Sequence, residues 1–122
     1  MKTGYAVAVI VGAIAFAPCT RAEQSFQMLS SDQIRARFAG AELTDEVHWR
    51  DRYERGGAVT SHSMGSTRAG RWLVEKGRLC VEFEKETSVT CYEVWMAGRN
   101  VELRREGALP VEGVLQGSIG RK

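Results

Sequence analysis

The chain has 122 residues, of which 17 are Lys or Arg, 15 are Asp or Glu and 43% are hydrophobic. That length suits one small domain. A formal charge of only +2 gives none of the dense basic surface by which proteins hold nucleic acid or an anionic membrane, and so argues against those partners.

The first elements are those of an export signal. Met1-Lys2 is a short positive start, Tyr5 to Ala17 ("YAVAVIVGAIAFA") is uncharged and apolar, Pro18 breaks the run, and Thr20 and Ala22 supply the small residues before a cleavage point. The run is shorter than the ~20 apolar residues of a membrane span. Cleavage after Ala22 is expected, with residues 1–22 as signal peptide and residues 23–122 as a single domain, periplasmic or secreted, with no transmembrane segment. Pro18 directly before Cys19 argues against lipidation of that cysteine. Residues 23–122 carry 15 charges of each sign, since Lys2 and Arg21 leave with the signal.

"EQSFQM" (Glu23 to Met28) reads as a loose tail. "LSSDQIRARFAG" (Leu29 to Gly40) then reads as one short helix. Ser30 suits the N-cap, Gln33 completes a capping box, Leu29 and Ile34 form a hydrophobic staple, and Gly40 suits the stop. Ile34 and Phe38 give a narrow apolar stripe, enough to cover one end of a sheet. "EVHWRDRYERGGAVTSH" alternates as strand, with Val47, Trp49 and Tyr53 on one face and His48, Arg50, Arg52 and Glu54 on the other. Gly56-Gly57 turns it into a second strand. "GSTRAG" (Gly65 to Gly70) reads as a loop.

From residue 70 onward the chain reads as an antiparallel meander. Lys76-Gly77 is a tight turn that sets Val74 against Leu79 and Trp72 against Val81. A turn at Lys85-Glu86 sets Glu84 against Thr87, Glu82 against Val89 and Cys80 against Cys91. The two assignments gather Trp72, Val74, Leu79, Val81, Phe83, Tyr92 and Val94 on one apolar face. "AGRN" (Ala97 to Asn100) turns into Val101 and Leu103, and a last strand follows Pro110. Two strands before the loop and four or five after it, with one helix, give a mainly β fold: a curved antiparallel sheet or small closed barrel. Trp49, Trp72, Phe83 and Tyr92 are large enough to fill its interior.

Cleavage would remove Cys19 and leave Cys80 and Cys91 in an oxidising compartment. A zinc site needs four ligands, and neither His48 nor His62 stands at ligand spacing from the cysteines. A C-x-x-C motif is absent. Directly opposed positions on a hairpin lie within disulfide reach, so Cys80 and Cys91 are expected to be bonded.

No catalytic, cofactor-binding or metal residue is assigned. His48, Asp51 and Ser61 or Ser63 are the residue types of a hydrolase triad, but no G-x-S-x-G elbow carries them. Glu82, Glu84 and Glu86 repeat at period two as a solvated strand face does. No phosphate loop or cofactor fingerprint occurs. The chain is expected not to be an enzyme and to need no cofactor.

Gly70-x-Trp72, Leu79-Cys80 and Cys91-Tyr92-x-Val94, with the helix residues Leu29, Ser30, Ile34, Phe38, Ala39 and Gly40, resemble a group of small exported alphaproteobacterial proteins. That resemblance implies no activity. Gly70-x-Trp72 followed by Cys80, the second cysteine Cys91 and the later Trp95 also resembles the metalloprotease-inhibitor β-barrels of the AprI/Inh type, which implies a barrel and an inhibitory tail. The expected function is a non-enzymatic binding or interaction domain of the cell envelope, with an unidentified protein or small-molecule partner. The alternatives are a peptidase inhibitor acting through Glu23 to Met28, or a carrier of a small apolar ligand.

Overall fold

In the computed structural model, residues 3–14 and 25–117 are described; Ala22, the expected cleavage point, and Cys19 lie outside them. Residues 3–14 form no helix or strand and are exposed. Among the described residues no helix is long and apolar enough to cross a membrane.

The helix forms where its caps demand it. α1 spans Ser31–Phe38. The Gln33 N–H donates to Ser30 Oγ at 3.3 Å and the Ser30 N–H to Gln33 Oε1 at 2.9 Å, closing the capping box. Gly40 ends it at φ 81°, a conformation that costs glycine little.

The remaining elements are strands: β1 (Gln27–Met28), β2 (Ala41–Thr44), β3 (Trp49–Tyr53), β4 (Ala58–Ser63), β5 (Ser66–Glu75), β6 (Arg78–Phe83), β7 (Thr90–Ala97), β8 (Asn100–Arg104) and β9 (Val111–Gln116). β2 to β9 pair antiparallel in sequence order, and β9 returns to β2, closing an eight-stranded up-and-down barrel. The fold is thus the mainly β, barrel-like architecture that alternation foretold.

One turn and one register behave as read. Lys76 and Gly77 both have positive φ (52° and 75°), and Val74 faces Leu79 and Trp72 faces Val81. Cys80 faces Cys91, and their sulfurs are bonded across a Cα separation of 4.0 Å.

Five expectations need correction. The Lys85-Glu86 turn is absent. The register is right, but the β6–β7 ladder ends at Val81–Thr90 and residues 84–89 form a wider loop. No Gly, Asn or Asp stands there to supply the positive φ of a two-residue hairpin. "GSTRAG" is the first half of β5, because Met64 and Gly65 (φ 48° and 81°) already make the tight turn that pairs Ser63 with Ser66. Ala41–Thr44 is a further strand, short yet paired on both sides by β3 and β9. Val47 is 79% exposed in the loop after β2, off the apolar face. The segment Glu23 to Met28 is no free tail at its end: Gln27 and Met28 pair with Met96 and Trp95, where β7 runs beyond β6, and the Leu29 N–H donates to Val94 O at 2.8 Å.

The core sits at the end of the barrel that α1 covers. Ile34 and Phe38 are fully buried there with Leu43, Tyr53, Leu79, Val94 and Val101. Phe38 meets Tyr53 edge to face at 5.1 Å, and Tyr53 meets Trp72 at 5.7 Å. Each such pair adds about 0.5–1.5 kcal/mol beyond its burial. Trp72 Nε1 donates to Glu54 O at 2.7 Å, which satisfies its polar edge. Two hydrogen bonds fasten the helix to the β5–β6 end: Gly77 N–H to Ser31 Oγ at 2.8 Å and Arg35 Nη2 to Val74 O at 3.2 Å. Among the described residues the opposite end has no such plug.

Candidate functional site

The open end of the barrel is a cup of about 280 Å³. The sequence leaves open whether Phe83 and Tyr92 fill the interior; both are only half-buried and line this cup. The barrel is therefore packed at the helix end and hollow at the other.

Strand alternation builds two different half-walls. β3 presents Trp49, Asp51 and Tyr53 inward, β4 presents Ser61 and Ser63, and β5 presents Arg68. Asp51 pairs with Ser61 across β3–β4, and Ser61 with Arg68 across β4–β5, so a polar stripe runs around three adjacent strands. β6 to β9 supply Val81, Phe83, Tyr92, Leu103 and Val111, a mainly apolar wall.

Asp51 is the group out of balance. Its Oδ1 is buried and has no hydrogen-bond partner. Burial pushes the Asp51 pKa above the ordinary carboxylate value, opposed by the Ser61 hydroxyl and by the charges of Arg68 and His62. The Tyr53 hydroxyl at the floor is held well above its ordinary pKa by burial first and by Asp51 and Tyr92 next, so it stays protonated.

Arg68, by contrast, is engaged. Its Nη1 donates to Glu86 Oε1 at 2.8 Å, and its guanidinium carbon lies 4.1 Å from the centre of the Phe83 ring. Glu86 comes from the β6–β7 loop, whose Glu84 N–H also bonds Ala69 O at 3.0 Å. The disulfide at the base of that loop fixes where it leaves the barrel.

Trp49 forms the opposite rim and is set by the β2–β3 loop. Asp45 Oδ1 accepts the N–H groups of Val47, His48 and Trp49 at 3.0, 2.7 and 3.0 Å. Partial burial works to raise the Asp45 pKa, but these bonds and the His48 ring overcome it and hold the carboxyl below the usual range. The Trp49 ring then lies on Gly113 of β9, where a Cβ would come within 3.1 Å of its Cη2.

The triad residue types do not assemble. Asp51 and Ser61 meet inside the barrel, while His48 Nδ1 is held at 2.9 Å by Asp45 on the outside and His62 Nδ1 lies 3.1 Å from Thr67 Oγ1. Both histidines line a shallow outer groove on β3 and β4. Among the described residues no three potential metal ligands converge. Glu82, Glu84 and Glu86 are exposed.

Sequence reasoning weighed Asp51 only as a triad residue type and missed its place in the cup, and it missed Arg68 altogether. Asp51 lies at period two between Trp49 and Tyr53, which is an inward position; the alternation contained that signal. Arg68 was hidden in a stretch of small residues that looks like a loop.

Comparison with known protein families, with curated proteins and with solved structures finds no match. The two family resemblances therefore rest on their motif residues alone.

Proposed function

We propose that this chain is an exported, non-enzymatic binding domain of the cell envelope, and that its ligand is a small molecule held in the mouth of the barrel. The observation that carries the reading is the buried, unpartnered Oδ1 of Asp51 in the wall of a 280 Å³ cup. Buried polar atoms in folded proteins nearly always have a partner, and an unsatisfied acceptor costs about 1–3 kcal/mol. Oδ1 lies below the accessible surface, so a ligand donor in the cup would supply the missing bond once the Asp51 carboxyl group rotates toward it. The cup is near the lower end of ligand-site volumes, roughly 300–1,000 Å³, and combines an apolar wall with a few convergent polar groups, as such sites do. A purely apolar ligand fits less well, because it would leave Asp51 unpaired.

The N-terminal sequence supports export, and the Cys80–Cys91 bond is compatible with an oxidising compartment. Cell fractionation with N-terminal sequencing tests that part; a protein that retains Met1 in the cytoplasm refutes it. The inhibitor reading is less favoured, because Gln27 and Met28 are already paired to β7.

Trp49 lines the cup and reports on its contents. A small-molecule screen read by tryptophan fluorescence, and by thermal shift, should find compounds whose signal is lost in Ser61→Leu, a variant that fills the cup. If every hit binds that variant equally well, the cup is not the site.

A further inference from the structure

The character of the cup narrows its ligand further, on the premise that the cup is a binding site. We infer that it takes a small organic cation bearing at least one N–H, a protonated primary or secondary amine on a compact ring or short apolar body. Three observations converge on this class.

The unmet group is an acceptor. Asp51 Oδ1 is buried and unpartnered, only a donor can complete it, and rotation of the carboxyl group would bring it to the cup. Among the described residues that line the cup the one cation is already satisfied: Arg68 is bonded to Glu86 and stacked on Phe83. An anionic ligand would have to displace Glu86 and then meet Asp51 as a like charge. A cation meets Asp51 directly, in a cup lined by two carboxylates and one guanidinium.

The walls are suited to a cation as well. Trp49, Phe83 and Tyr92 present aromatic surface, whose faces attract positive charge. Arg68 already covers Phe83 at 4.1 Å and Arg105 lies 5.9 Å from the centre of the Tyr92 ring, so the aromatic surface left for a ligand cation is chiefly that of Trp49. Size sets the body. At about 280 Å³ the cup lies near the lower end of ligand-site volumes, roughly 300–1,000 Å³, and so suits a compact body. A quaternary ammonium would satisfy the aromatic wall but has no N–H for Oδ1, and should bind more weakly.

Three probes of one shape and different charge test this: phenethylamine, its neutral counterpart 2-phenylethanol, and phenylacetate. Each is titrated calorimetrically into the purified, disulfide-bonded protein at pH 7. The amine should bind about tenfold or more tightly than the alcohol, as a charge-assisted hydrogen bond outweighs a neutral one, and phenylacetate weakest of all. In Asp51→Asn the amine should fall to the level of the alcohol, with alcohol binding unchanged; a melting curve confirms that this variant is folded. If the alcohol or phenylacetate binds wild type as well as the amine does, or the amine's advantage survives in Asp51→Asn, the cation inference fails while the cup remains a binding site. If none of the three binds at several millimolar, the cup reading fails and this inference with it.

Discussion

Asp51 and Ser61 face each other at directly paired positions of β3 and β4, inside the barrel, and yet one Asp51 carboxylate oxygen is left with no partner. Around them the interior is well satisfied. The Trp72 indole has its carbonyl, Ser31 and Arg35 tie the helix plug to the β5–β6 end, and Asp45 serves three backbone donors. An unmet acceptor in such a setting works against stability and is consistent with a role in binding.

Replacing Asp51 with Asn should stabilise the protein at neutral pH, because it removes a charge that burial disfavours while keeping the shape of the side chain. The pH dependence has a definite sign. Burial raises the folded-state pKa of Asp51 above its unfolded value of 3.8. The folded state then holds the proton more tightly, so this group's contribution is most favourable below the unfolded pKa. It is lost as pH rises from there through the folded pKa. Urea melts of the two proteins across acid to neutral pH should converge as Asp51 protonates and separate toward neutrality. A wild type more stable than Asp51→Asn at neutral pH would contradict this account.

Reducing the Cys80–Cys91 bond, or replacing both cysteines with serine, should lower stability by about 3 kcal/mol on the chain-entropy view of a short closed loop. In a small domain of about 5–15 kcal/mol that is a large fraction. The loss should be local in its first effects. The bond lies at the base of the 84–89 loop that delivers Glu86 to Arg68, so hydrogen exchange should rise in this loop at reductant concentrations that leave β2 to β5 protected. Uniform loss of protection, or none, would argue against this placement of the bond's effect.

The parts of the fold that were legible in the sequence are those written in short-range chemistry. Ser30 and Gln33 cap each other three residues apart, Lys76-Gly77 supplies the φ values that a tight turn requires, and the turn count placed Cys80 opposite Cys91. What was hidden depends on partners far along the chain. Ala41–Thr44 is too short to announce itself as a strand and exists because β3 and β9 hold both its edges. Ser66–Gly70 has loop-like composition, yet lies on β4 residue by residue. At Gly70 a side chain would meet the β6 backbone, 2.8 Å from Phe83 Cα, so the small residue marks a close strand approach. Asp51 entered the sequence reading only as a triad residue type; its period-two position between Trp49 and Tyr53 already marked it as inward, and its neighbours in the cup come from strands far along the chain.

Gly113 is a second glycine whose lack of a side chain shapes the protein. A Cβ there would lie 3.1 Å from Thr44 O and 3.1 Å from Trp49 Cη2. The Thr44 carbonyl is part of the barrel wall, so the side chains of Trp49 and Leu43 must give way, and Trp49 lines the cup. Gly113→Ala should cost about 1–3 kcal/mol by overpacking, shift the tryptophan emission, and weaken any ligand that reaches the Trp49 rim. Unchanged emission and stability would mean that the wall yields at β9 instead.

The N-terminal segment offers the sharpest contrast between a loose tail and a structural strand. A tail could be removed with almost no effect on stability. Gln27 and Met28, however, continue the sheet along the part of β7 that β6 does not reach, and they cover an edge that would otherwise stand open beside Trp95 and Met96. Two backbone pairings at about 0.5–1.5 kcal/mol each predict a loss of about 1–3 kcal/mol when residues 23–28 are deleted. The exposed β7 edge should also make the truncated protein associate, visible by light scattering at concentrations where the intact protein is monodisperse. Deletion of residues 23–26 alone should do neither. A protease panel run with the same three proteins separates this structural role from an inhibitory one. Inhibition that is lost with residues 23–26, while stability holds, would assign the segment to a protease cleft. The strand pairing predicts that both truncations leave protease activity untouched and that only the longer one weakens the barrel.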